Sequence, residues 1–128
     1  MVPVPIGVCY YCAMSNIEEL QRLVTEFRDA RDWKQFHNAK DMAISLVLEA
    51  TEFLEHFQWK SESEVIEHLA KHKEAVSEEL SDVLYWVLLL ANDLNIDLAE
   101  QFRAKIKKNE AKYPVDAAKG NHKKYTEL

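Results

Sequence analysis

The sequence predicts an all-α domain, a four-helix bundle-like unit completed by oligomerisation. Three observations carry this. The 128 residues hold only two Gly and three Pro, and Pro3 and Pro5 both fall in the first five positions. Apolar residues recur at helical spacing in long blocks. One segment, Val83 to Ala91, is apolar on every face. Such a helix must be covered all round, and a domain this small has little with which to cover it. A second copy of the chain packing on the helix over 73–94 would do so.

The elements follow in order. Residues 17–31 form the first helix, with Asn16 as N-cap, Glu19 three residues on, and Leu20, Leu23, Val24 and Phe27 as its apolar face. The connector DWKQFHN, 32–38, carries Trp33, Phe36 and His37. Its aromatics either plug the core or form a wall for a flat ligand. The second helix covers 39–57, capped by Asn38, with Leu46, Val47, Ala50, Phe53, Leu54 and Phe57 as the apolar face. A turn over 58–63 lets Ser63 cap a short helix over 64–72. A long third helix then spans 73–94. Asp97 caps the fourth helix, 98–112, which Tyr113-Pro114 stops, because the residue before proline disfavours the α region. Residues 16–114 are thus one domain, flanked by an irregular tail over 1–15 and a basic tail over 115–128 that packs on the domain or a neighbouring subunit.

Charge narrows the function. There are 22 acidic against 16 basic residues, a formal charge of −6, which argues against binding a nucleic acid polymer. The apolar first fourteen residues lack a basic n-region and are too short to span a membrane, so a cytoplasmic protein with no membrane partner is expected. Cys9 and Cys12 have no second pair to complete a zinc site and no βαβ context for redox work, and read as reduced thiols.

The chemistry is concentrated in two acidic pairs. Glu49 and Glu52 stand three apart on the second helix, bracketed by Leu48 and Phe53. Glu79 and Asp82 repeat the spacing on the third and run into the apolar segment. Residues three apart share a helical face. Four carboxylates in one low-dielectric place repel strongly unless a cation joins them. All-oxygen donors suit Mg2+, with Mn2+ as a substitute, and Mg2+ commonly brings substrate phosphates with it. A di-iron site would need Glu-x-x-His on two helices, and the third helix has no His after Glu79. Glu49 and Glu52 are the candidates to orient or deprotonate a water, and the sequence leaves open which is the base. Lys105, Asn109 and Lys112 form a stripe on the fourth helix, either a solvated rim or a set of phosphate donors. Trp33, Phe36, His37, Trp59 and Trp86 are core residues or surfaces for stacking a base, with Trp86 one turn beyond Asp82.

Five segments together, RDWKQFH (31–37), LEATEFLEHFQWK (48–60), EELSDVLYW (78–86), KYP (112–114) and KKYTEL (123–128), resemble the all-α nucleoside triphosphate pyrophosphatases, the MazG-like superfamily, and within it the dCTP pyrophosphatase subgroup. The resemblance covers about 17–128. It departs where Leu48, not an acid, precedes Glu49, and where Trp86 replaces a common tyrosine. It implies Glu49, Glu52, Glu79 and Asp82 as magnesium ligands, Trp33, His37 and Trp59 around base and sugar, and Lys105 and Asn109 near phosphate. It implies hydrolysis of a nucleoside triphosphate, often dCTP, to monophosphate and pyrophosphate, in dimers or tetramers with sites at subunit interfaces, as nucleotide-pool house-cleaning. The competing reading is a non-catalytic helical interaction module that keeps the fold; there, alanine at Glu49 and Glu79 would be tolerated and Mg2+ would not raise the melting temperature.

Overall fold

The structure, a computed structural model, describes residues 17–128. Asn16, the tail over 1–15 and Cys9 and Cys12 lie outside the described residues. The described residues form helices joined by turns and short loops, with no strand among them. The elements are α1 (Ile17–Asp29), a 3-10 turn (Trp33–Phe36), α2 (Ala39–Glu55), α3 (Glu62–Asp93), α4 (Leu98–Lys112), a single turn α5 (Val115–Ala118) and a 3-10 turn (Tyr125–Glu127).

Caps fix most boundaries. Asn38 accepts the Asp41 backbone N–H at 2.9 Å and starts α2. Asp97 does the same for Glu100 and starts α4, over the expected residues. The start of α3 differs from expectation: Ser61, not Ser63, is the cap. Ser61 Oγ accepts from Glu64 N at 3.4 Å, and Glu64 Oε2 accepts from Ser61 N at 2.7 Å. Ser63 has Ile66 at the reciprocal position and cannot close such a box.

The short helix and the third helix expected from sequence are one 32-residue element, kinked at His72 (φ −123°, ψ 27°). Immediately after the kink, Ser77 Oγ takes the Lys73 carbonyl, and Ser81 Oγ takes that of Ser77. Back-bonds of this kind bend helices. A Schellman turn ends α3: Ile96 N donates to Ala91 O at 2.8 Å and Asn95 N to Asn92 O at 3.2 Å, with Asn95 left-handed at φ 53°. Two helices end early. α1 stops at Asp29 as its last carbonyls are taken by tighter turns and Asp32 turns left-handed (φ 53°). α2 stops at Glu55, before Trp59 does likewise (φ 64°). The basic C-terminal tail carries two short helical turns.

The main packing is α2 against α3, with α1 laid on α3. The pair runs antiparallel: His56 meets His68, while Glu49 meets Trp86 further along. The buried apolar core is small: Met42, Val76, Leu88, Leu89 and Ala91. Val47 and Leu54, on the expected inner face of α2, are exposed, as are Leu80 and Leu84 on α3 and Phe102 on α4. α2 and α3 are apolar on two sides, and one chain covers only one of them. Phe36, 66 % exposed, does not plug the core. α4 leaves the Schellman turn and makes only sparse contacts with the rest.

Candidate metal centre and aromatic cleft

The antiparallel pairing brings the two acidic stripes face to face. Glu49 from α2 and Glu79 and Asp82 from α3 each offer a carboxylate oxygen within 4.8 Å of the others. Glu49 and Glu79 are half-buried and Asp82 is exposed. Glu52, one turn from Glu49, lies outside that tight group on an exposed position, yet it feels the group's field. The charge of Glu49, then burial, then Glu79, Glu55 and Asp82 push its carboxyl above the ordinary glutamate range.

Glu79 Oε2 decides whether a cation fits. It is buried and receives no hydrogen bond among the described residues. A buried carboxylate oxygen with no donor, beside two further carboxylates, is a costly arrangement for the protein alone. A hard divalent ion removes that cost, and the donor set is all oxygen. The residues present therefore fit a Mg2+-type ion.

A cavity of about 580 Å3 opens on one side of the carboxylates, within the size range of small-molecule sites. Phe27, Trp33, His37, Tyr85 and Trp86 supply its aromatic walls, and Glu49 and Asp82 its acidic edge. Trp86 Nε1 donates to Glu49 Oε1 at 3.4 Å, and its ring meets His37 edge-on at 5.2 Å. Phe27 holds Trp33 and Tyr85 edge-on at 5.9 and 6.2 Å. Burial, then the charge of Arg28, lowers the His37 pKa, with Asp93 opposing. His37 is thus neutral at pH 7, and its buried Nδ1 has no partner among the described residues.

Trp33, His37 and Trp86 thus come together with Glu49 and Asp82 around one cleft, while Glu79 and Glu52 face the cavity beside it. Trp59, Lys105, Asn109 and Lys112 border none of the three cavities that these carboxylates edge. Trp59 points outward, 93 % exposed. The Lys105 stripe leaves with α4, and Lys112 Nζ sits 4.8 Å over the Tyr125 ring. Sequence reasoning gave Phe27 to the core and missed Tyr85. The apolar spacing that marks Tyr85 as buried does not separate a core ring from a cleft ring. Arg28 was also missed. It is the buried cation that ties α1 to α3 through Asp93.

Residues 44–128 match the MazG-like family. The chain is 40 % identical over 115 residues to dCTP pyrophosphatase 1 of Mus musculus, covering 88 % of this chain and 68 % of that protein. Against dCTP pyrophosphatase 1 of Homo sapiens it is 38 % identical over 115 residues, with the same coverage. A crystal structure of a pyrophosphatase from Archaeoglobus fulgidus is similar with a TM-score of 0.73 at 42 % identity, covering 77 % of this chain and 92 % of that one.

Proposed function

The chain belongs to the MazG-like family, and from that membership we propose that it is a Mg2+-dependent pyrophosphohydrolase. Its substrate is a deoxynucleoside triphosphate, with dCTP the first candidate, and its products are the monophosphate and pyrophosphate. It serves house-cleaning of a cytoplasmic nucleotide pool. The observation that carries this is one juxtaposition: three carboxylates within 4.8 Å, one with an orphaned buried oxygen, at the edge of an aromatic cleft.

Glu49, Glu79 and Asp82 hold the ion, with Glu52 completing the set. When bound, Mg2+, or Mn2+ in its place, neutralises charge on the triphosphate and on the departing pyrophosphate. Glu52, at the exposed edge of the group, takes the proton of the attacking water. Glu49 keeps its orientation through the Trp86 N–H. The rings of Trp33, His37 and Trp86 receive the base and exclude water from it. Apolar side chains under the sugar would leave a ribose 2′-OH unpaired, which disfavours ribonucleotides.

The assembly is a homo-oligomer, dimer or tetramer, through α3 and the outer face of α2. The exposed Val47, Leu54, Leu80 and Leu84 support it. Trp59 then reaches the cleft of a second copy. Its left-handed backbone, costly for a bulky residue, holds the ring out from its own domain. No helix among the described residues is long and apolar enough to cross a membrane.

The test is pyrophosphate release from a panel of dNTPs and NTPs with Mg2+, in the wild type and in Glu49→Gln. Release from dNTPs that Glu49→Gln abolishes is expected. No release from any nucleotide, or release that Glu49→Gln leaves intact, overturns the reading.

A further inference from the structure

A pair of histidines lines a second cavity beside the carboxylates, which shares no residue with the aromatic cleft. His56 ends α2, and His68 and His72 stand one turn apart on the first segment of α3. His56 Nδ1 and His68 Nε2 are 2.9 Å apart. The rings of His68 and His72 lie 4.6 Å apart at 31°, facing the same way. The cavity at this cluster, of about 440 Å3, is lined by Glu52, Glu55, His56, Lys60, His68 and Glu79.

Charge decides which ligand this cavity takes. Glu55 offsets Lys60, and Glu52 and Glu79 belong to a four-carboxylate centre that one divalent ion leaves net negative, so the cavity still attracts a cation and repels phosphate. Donor type decides which cation. Imidazole nitrogens select zinc, nickel, copper or cobalt over Mg2+. Two ring nitrogens at 2.9 Å share one proton. Two nitrogens each 2.0–2.1 Å from one tetrahedral ion lie about 3.3 Å apart. An ion can therefore replace the shared proton after a shift of about 0.4 Å, within the reach of a χ rotation. His68 is suited to this: burial, then Lys60, His72 and His56, lower its pKa, which leaves the ring neutral and able to ligate.

We propose that His56 and His68, with Glu55 beside them on the cavity wall, form a site for a divalent transition-metal ion, distinct from the all-carboxylate centre. His56 Nδ1 and His68 Nε2 are the protein ligands, and water from the cavity completes the coordination. The ion would clip the end of α2 to the segment of α3 that precedes the kink. Its presence does not depend on the hydrolase reading.

The experiment titrates Co2+ into the full-length protein with Mg2+ in millimolar excess to fill the carboxylate centre. Bound Co2+ is read by equilibrium dialysis and by its visible ligand-field bands. One Co2+ per chain with tetrahedral nitrogen-type bands is expected. His68→Ala should weaken it by about 100-fold, no less than the loss of an outer-shell partner causes, while Glu49→Gln leaves it unchanged. His56→Ala gives a second variant if His68→Ala does not fold, as judged by circular dichroism. No Co2+ retained against Mg2+, or Co2+ lost in Glu49→Gln but kept in both histidine variants, overturns the proposal. The second outcome would place the ion at the carboxylates.

Discussion

Arg28, 1 % exposed, donates from Nη1 to Asp93 Oδ2 at 2.7 Å and so fastens the end of α1 to the end of α3. Its Nε reaches Asp29 at 2.9 Å. Burial alone would lower the Arg28 pKa, but the hydrogen bonds it donates to Asp93 and Asp29 outweigh it and the net shift is upward. The pair positions Phe27, the next residue, against Trp33 and Tyr85. Removing one member of a buried pair strands the other charge, at a cost of about 3–5 kcal/mol. Arg28→Ala should therefore unfold at much lower denaturant concentration, and Arg28→Met, which fills the space but still strands Asp93, at an intermediate one.

The same pair sets an acid limit. Burial pushes the Asp93 pKa up, but the Arg28 and Asn92 hydrogen bonds prevail and it lies below the ordinary aspartate range. A group whose folded pKa is depressed stabilises above its unfolded pKa and loses that contribution as pH falls through the folded one. Stability from this contact should hold at neutral pH and fade only below about pH 4, the unfolded aspartate value. Urea melts from pH 7 to 2 check it, with Asp93→Asn flattening the acid limb.

Glu52 works with the opposite sign. Its pKa is raised, chiefly by Glu49. Its protonated form therefore stabilises the metal-free fold below its unfolded pKa, and that contribution is lost as pH rises through the folded value. Metal-free protein should lose stability as Glu52 ionises, and Mg2+ should restore it by mass action. Because ligands must be deprotonated, Mg2+ binding near pH 5 should release a proton. Calorimetry in buffers of different ionisation enthalpy measures this release, which Glu52→Gln should abolish. In the metal-free state Glu52→Gln should be the more stable protein at pH 7, while its pyrophosphate release falls by about 100-fold, within the usual range for a general base.

Much of this site could be read from the sequence because helical spacing alone fixes it. Glu49 and Glu52, and Glu79 and Asp82, share faces by arithmetic, and flanking Leu48, Phe53 and Val83 mark those faces as partly dry. The start of α4 at Leu98 was legible from Asp97 for the same reason, since a cap is a local chemical event. What depends on three dimensions was not. Nothing local pairs Arg28 with Asp93, 65 residues away. The histidines at 56, 68 and 72 meet only because the turn after α2 is short and α3 doubles back. The α4 stripe reads as near the core because Phe102 flanks it, yet in the single chain Phe102 is exposed. Its partner is expected on another copy, which the sequence does not locate.

Trp86 supports Glu49 from behind, through a 3.4 Å hydrogen bond. Trp86→Phe keeps the aromatic wall and removes only the N–H. Outer-shell donors of this kind are worth about 10–100-fold in metal affinity. The Mg2+ concentration for half-maximal activity should rise by about tenfold, with little change in KM for the nucleotide at saturating Mg2+. A Trp86→Phe enzyme with unchanged Mg2+ dependence would remove this residue from the centre.

Trp59 allows the assembly and the site to be tested together. Its ring is almost fully exposed on a left-handed backbone at φ 64°, where a side chain costs about 1–2 kcal/mol that glycine avoids. If its ring has no part in any site, Trp59→Gly should be harmless. If it closes the cleft of a second copy, Trp59→Gly should retain the melting temperature yet raise KM. Glu49→Gln, by contrast, inactivates the cleft on its own chain. Mixing these two variants then decides the matter. In a mixed dimer the Trp59→Gly chain keeps its carboxylates and borrows the tryptophan of its partner, so one site is whole. Random exchange makes half the dimers mixed, and activity should return to about a quarter of wild type in a two-fold assembly. Leu84→Glu, at an exposed apolar position on α3, should prevent both the assembly, seen by sedimentation, and the recovery. Recovery that survives Leu84→Glu, or no recovery in stable mixed dimers, would return Trp59 to its own chain.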